Sequence, residues 1–152
     1  MISNASKNLN DLDVIVLAGG FGTRLKEITK DTPKPLVPIY DVVFLDIVLA
    51  QVLKFCPHRI ILTLHYNIPA FEHYLNSRNF PVDIVTVTEK KPLGTGGAIK
   101  NVFETFPEME HAAVINADTL TKVNLVDMFC YFKKFNAPAI MGLSAISDQI
   151  RY

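Results

Sequence analysis

The chain has no excess of charge of either sign: 15 Lys and Arg stand against 15 Asp and Glu. A general nucleic-acid or anionic-membrane surface needs a surplus of positive charge, so neither is an expected partner. A small phosphorylated ligand stays open, because it needs only a few local cations. Cysteine is scarce. Cys56 and Cys130 make no metal-ligand spacing and no disulfide framework. Each falls in an apolar helical pattern and is expected as a reduced core thiol. The four histidines, His58, His65, His73 and His111, show no metal or triad spacing, and strand ends or surface positions are expected for them. No apolar run approaches the roughly 18–20 residues that cross a bilayer. Met1 to Asn10 is polar and lacks the apolar region of a signal peptide. Residues 1–12 are expected as a flexible N-terminal tail on a cytoplasmic protein. Residues 13–152 are expected as one domain, whose 49% apolar content supports a core.

What is present is a regular alternation. Asp13 to Ala18, Arg59 to His65, Val82 to Thr88, Ala112 to Asn116 and Ala137 to Ile146 read as strands. Phe44 to Phe55, Pro69 to Asn79, Gly94 to Phe106 and Leu125 to Phe135 read as helices, the last with Asn124 as N-cap. Thr23 to Ile28 is expected as a short helical turn. Pro33, Pro35 and Pro38 then exclude regular helix. Strands alternating with helices predict an α/β fold, with a mostly parallel sheet and helices on both faces. Ligands of such sheets bind beyond the carboxyl ends of the strands. An exposed edge at strand 137–146 hints at a homo-oligomer.

Three of those strand ends carry the notable residues. The first runs from Val14 to Pro38. An apolar run ends in Gly19, Gly20 and Gly22, followed by Thr23 and Arg24. A glycine turn lets backbone N–H groups converge on an anion. Arg24 presents a fork suited to phosphate oxygens. Lys34 follows between Pro33 and Pro35, which stiffen it. No Gly-Lys-Ser/Thr completes a Walker loop. Leu25 stands where the third glycine of a dinucleotide fingerprint would be. A NAD site would also need an acid after the second strand, where His65-Tyr66-Asn67 stands. The second strand end leads through Glu89 into Pro92-Leu93-Gly94-Thr95-Gly96-Gly97-Ala98, and the third ends at Asn116-Ala117-Asp118. A solvated charged turn explains Lys90 and Lys91. Asp46 and Asp127 read as early-helix acids that suit the helix dipole.

Leu17-Ala18-Gly19-Gly20-Phe21-Gly22-Thr23-Arg24-Leu25, followed by Thr32-Pro33-Lys34-Pro35-Leu36, resembles the signature of the sugar-1-phosphate nucleotidylyltransferases. The Pro-Leu-Gly-Thr-Gly-Gly-Ala-Ile run most resembles the heptose 1-phosphate guanylyltransferases among them. The resemblance covers roughly Asp13 to Tyr152. It implies a Rossmann-like fold of the nucleotide-diphospho-sugar transferase type, and transfer of a nucleoside monophosphate from an NTP to a sugar 1-phosphate with loss of pyrophosphate. On that mapping Arg24 and Lys34 are catalytic. Leu17, Ala18, Gly19, Gly20, Gly22, Thr23, Glu89, Gly94 and Thr95 bind nucleotide, Glu89 facing the base and Gly94 the ribose. Asp118 binds Mg²⁺, the implied cofactor. Ala117 replaces a family glycine and is expected to crowd the backbone there. Val42-Val43 replaces a family Lys-Pro and suggests a relaxed loop or an unusual subfamily. Family members continue past this point with sugar-binding residues and a second metal-binding aspartate. A non-catalytic or truncated nucleotide-binding module therefore stands as the alternative expectation.

Overall fold

Strand β1 (Asp13–Leu17) is the centre of the structure. A computed structural model describes residues 11–20 and 32–143. Val14, Ile15 and Val16 are fully buried, Val14 and Val16 facing one apolar cluster and Ile15 the other. That is why the run is continuously apolar, since a central parallel strand is covered on both faces. β1 pairs in parallel with β4 (Arg59–Leu64) on one side and β6 (Ala112–Asn116) on the other. β5 (Asp83–Thr88) pairs in parallel with β4 and completes the order β5-β4-β1-β6.

Helix α1 (Phe44–Leu53) buries Leu45, Val48, Leu49 and Val52. α2 (Ile68–Asn76) buries Phe71 and Tyr74. These pack with Val14, Val16, Ile60, Leu62 and Leu64 on one face of the sheet. α3 (Gly94–Thr105) buries Ala98 and Val102, and Val102 packs with Ile15, Ile61 and Val87 on the other face. Fully burying one such aliphatic side chain contributes roughly 1.5–3 kcal/mol, so the sheet is held by these two layers. The expected mostly parallel sheet with helices on both faces is what the chain builds.

At the amino end of the sheet a polar cluster replaces apolar packing. Arg59 donates to both carboxylate oxygens of buried Asp13, at 3.3 and 2.6 Å, and stacks on the Phe106 ring at 4.2 Å. His58 Nδ1 lies 2.9 Å from the same carboxylate. Away from the sheet, Arg78 grips Asp46 with two donors at 2.8 and 3.0 Å, and the Tyr74 hydroxyl donates to it at 2.6 Å. Asp46 therefore ties α1 to α2 and its following turn, a larger role than an early-helix acid.

The chain divides into two units, Met1–Leu120 and Thr121–Tyr152. In the second, α4 (Leu125–Phe135) starts where predicted: the Asn124 side chain accepts from the N–H of Val126 and of Asp127.

Four expectations are corrected. Residues 137–143 form no strand, and residues 144–146 of the expected strand lie outside the described residues. An apolar run becomes a strand only by pairing, and no partner strand pairs with 137–143 among the described residues. Val42-Val43 is not a relaxed loop. It is β3, paired antiparallel with β2 (Pro38–Ile39). Cys56 and Cys130 are exposed, not core thiols. Cys56 follows the end of α1 in a left-handed conformation, and Cys130 lies on an exposed face of α4. Ala117 does not crowd the site. Its side chain is buried in the α1-side core while its N–H donates to the Leu17 carbonyl at 3.0 Å. No helix among the described residues is long and apolar enough to cross a membrane.

Candidate active site

The carboxyl ends of β1, β4, β5 and β6 meet at one edge of the sheet, since all four strands run parallel. β1 delivers Ala18, Gly19 and Gly20 there, β4 delivers His65, β5 delivers Glu89, and β6 delivers Asp118. Ala18 N–H donates to the Thr63 carbonyl at 3.1 Å. Leu17 and Ala18 are thus tied to neighbouring strands and form the floor of the edge. Among the described residues, a Cβ at Gly20 would meet nothing within 4 Å.

Lys34 reaches this edge from a single 3-10 turn, Lys34–Leu36. The turn is fixed by buried Pro33, Pro35 and Leu36, and by a hydrogen bond from Leu36 N–H to the Pro33 carbonyl at 2.8 Å. Its Nζ lies 2.8 Å from Asp118 Oδ2. Thr119 Oγ1 donates to Asp118 Oδ1 at 3.1 Å. The Lys34 hydrogen bond, against the opposing effect of burial, holds the Asp118 carboxyl below its ordinary value. Asp118 stays ionised, and its side chain is 42% exposed. An ionised, accessible carboxylate beside a cation suits a site where phosphate oxygens and a hard metal ion meet.

Glu89 is different. Only 8% exposed, it is held by three contacts. Its N–H donates to the Leu64 carbonyl at 2.7 Å, its carbonyl accepts from His65 Nδ1 at 2.9 Å, and its Oε2 accepts from Leu93 N–H at 2.9 Å. The last contact closes the turn before α3. Gly94 follows with φ +68°, which glycine adopts without strain. At Gly97 a Cβ would come within 2.7 Å of Leu93 Cβ, so glycine there lets α3 begin against Leu93. Gly19 closes the edge from β1: a Cβ would sit 3.4 Å from Glu89 Oε1 and 3.5 Å from His65 Cβ.

The nucleotidyl transferase family model matches residues 13–152. The chain belongs to that family. It is 35% identical over 141 residues to a D-glycero-alpha-D-manno-heptose 1-phosphate guanylyltransferase of Aneurinibacillus thermoaerophilus, covering 93% of this chain and 61% of that protein. A Campylobacter jejuni protein of the same description is 37% identical over 142 residues, with the same coverages. Among solved structures, HddC from Yersinia pseudotuberculosis matches with TM-score 0.70 and 35% identity, over 80% of this chain and 54% of that one. A complex of that protein with GMP-PN matches with TM-score 0.69. The chain spans about three fifths of the length of the curated relatives it matches.

In this member of the nucleotidyl transferase family the structure brings Lys34 and Asp118 into contact, and Gly19 beside Glu89. Gly94 and Thr95 open α3 and are exposed. Gly22, Thr23, Arg24 and the turn expected over Thr23 to Ile28 lie outside the described residues. No group of three His, Cys, Asp or Glu that could hold a metal ion occurs among the described residues. Asp118 alone still fits Mg²⁺, which is commonly bound by one or two carboxylates with substrate phosphates and water. His65 was not expected at the site. No local spacing marks it, because its partner is 24 residues away on another strand.

Proposed function

We propose that this chain handles the nucleotide in a sugar-1-phosphate nucleotidylyltransferase, with GTP as donor and a heptose or mannose 1-phosphate as acceptor. The observation that carries the reading is the meeting of Lys34 and Asp118 at the carboxyl edge of the sheet. The relatives described as heptose 1-phosphate guanylyltransferases support the class of substrate. The reaction is an in-line displacement. The sugar phosphate oxygen bonds to the α-phosphorus of GTP, and the bond from that phosphorus to the departing pyrophosphate breaks.

Both reactants are anionic, so the protein's task is positioning and charge neutralisation. Gly19 and Gly20 offer donors to the phosphates, above the floor formed by Leu17 and Ala18, and Gly22 and Thr23 share that role by the family resemblance. Arg24 holds the departing pyrophosphate. Lys34 exchanges Asp118 for the phosphate oxygens at the reacting phosphorus. Asp118 and the phosphates would hold Mg²⁺, which supplies further neutralisation of developing charge. Glu89 faces the guanine, whose N1–H and amino group are donors to a carboxylate. Gly94 and Thr95 line the ribose side. A cytoplasmic enzyme is part of this reading, and no helix among the described residues is long and apolar enough to cross a membrane.

Pyrophosphate release tests the reading, with Mg²⁺, the common NTPs and a panel of sugar 1-phosphates. Release is expected with GTP and to require the sugar phosphate. Saturable GTP binding without sugar-dependent release would contradict it and leave a nucleotide-binding module.

A further inference from the structure

His65 stands at the carboxyl end of β4, between the ends of β1 and β5 in the sheet order. Regular pairing of β4 with β5 ends at Leu64 and Thr88. Beyond it the β4 chain turns away through Asn67, at φ 49°, into α2. Two contacts still fasten Glu89 past that point. Its N–H donates to the Leu64 carbonyl, and its carbonyl lies 2.9 Å from His65 Nδ1. A carbonyl oxygen only accepts, so Nδ1 carries the proton and donates. The imidazole thus extends the ladder by one rung after the backbone has left it. The same residue lies beside Gly19, where an added Cβ would sit 3.5 Å from His65 Cβ and 3.6 Å from His65 N. Glu89 in turn fixes Leu93 through its carboxylate.

We infer that His65 is a positioning residue for base recognition: its Nδ1–H orients the Glu89 peptide, and through it the Glu89 carboxylate and the Leu93-Gly94 turn, against Gly19. The inference rests on the reading of Glu89 as the base-facing residue. His65 need not touch the nucleotide. Its effect falls on the base and ribose side of the site, and spares the phosphate side at Lys34 and Asp118.

The test is calorimetric binding of GTP, UTP and inorganic pyrophosphate, each with Mg²⁺, alongside thermal melting. The proteins are the full chain and its His65→Phe, His65→Asn and Glu89→Gln variants. Phe keeps a planar ring and removes the donor. Asn keeps a donor near the Nδ1 position. His65→Phe is expected to lower the preference for GTP over UTP by about tenfold, the scale of one lost hydrogen bond. Pyrophosphate affinity is expected to stay within about twofold, since the Nδ1 bond goes to the Glu89 peptide and not to Lys34 or Asp118, and His65→Asn should restore most of the preference. An unchanged preference in His65→Phe overturns the inference. So does an equal weakening of GTP, UTP and pyrophosphate with a falling melting temperature, which marks a purely structural role. If Glu89→Gln leaves the GTP preference intact, the reading of Glu89 itself fails, and the inference falls with it.

Discussion

Lys34 and Asp118 are 84 residues apart in sequence, and their side chains meet at 2.8 Å. One comes from a proline-stiffened turn and the other from the end of β6. Neither needs the other for solubility, and exposed ion pairs add little stability, about 0–1 kcal/mol. Their pairing makes sense as a charge-balanced resting arrangement of a phosphate site, in which Lys34 keeps Asp118 ionised and the contact orients both until substrate arrives.

Thr63 offers a clean stability test. Its hydroxyl is buried without a hydrogen-bond partner among the described residues, in the apolar stretch Ile60 to Leu64 of β4. Thr63→Val keeps the shape and removes the unsatisfied group. Urea unfolding should show a gain of about 1 kcal/mol, since an unpaired buried hydroxyl costs about 1–3 kcal/mol. A loss of stability would show that the hydroxyl has a partner.

Gly96 and Gly97 are adjacent but should behave oppositely. A Cβ at Gly97 collides with Leu93 Cβ at 2.7 Å, while one at Gly96 meets nothing within 4 Å. Gly97→Ala should cost about 1–3 kcal/mol, as overpacking does, and should weaken GTP binding by shifting Leu93. Gly96→Ala should be neutral or stabilising by up to about 1 kcal/mol, because alanine favours helix. Thermal melts of the two variants decide it. Equal effects would contradict the packing described.

The Asp46 cluster should be lost in acid. Burial raises the Asp46 carboxyl, but the hydrogen bonds from Arg78 and Tyr74 outweigh it and hold the group below its ordinary value of 3.8. A carboxyl lowered in the folded state contributes stability above its unfolded value and loses it as pH falls through the folded one. Asp46→Asn should therefore be less stable than the parent chain near neutrality. The gap should shrink as pH drops below 3.8. Chemical unfolding at a series of pH values measures it, and a constant gap would exclude the cluster as its source.

Much of this was legible in the sequence, and the exceptions share a cause. β1, β4, β5 and β6 and the four described helices fall within three residues of their expected ends, β6 and α4 matching at both, because their apolar patterns and flanking Pro, Gly and Asn are local signals. The β2-β3 hairpin was not legible: its turn places Tyr40 at φ 54°, where glycine or asparagine would have announced it. The partners of Asp46 and His65 were not legible either. Each pairing joins elements 24 to 32 residues apart, which no spacing rule reaches. The exposed cysteines show the limit of helical periodicity, since Cys56 lies just past α1 and Cys130 falls off the buried stripe of α4. At the site, the strand-end positions nominated Lys34, and the family resemblance added roles for Glu89 and Asp118. Only the fold could show that Lys34 and Asp118 touch, and that Glu89 is held from three sides.

The most direct measurement is phosphorus NMR of the full chain turning over GTP and a heptose 1-phosphate with Mg²⁺, beside Lys34→Met and Asp118→Asn. The account predicts a GDP-sugar signal and free pyrophosphate from the parent chain. It predicts a fall of about 100-fold or more in either variant, the usual scale for removing one group that stabilises transition-state charge. Turnover that survives the loss of Lys34, or a parent chain that yields no GDP-sugar, would contradict it.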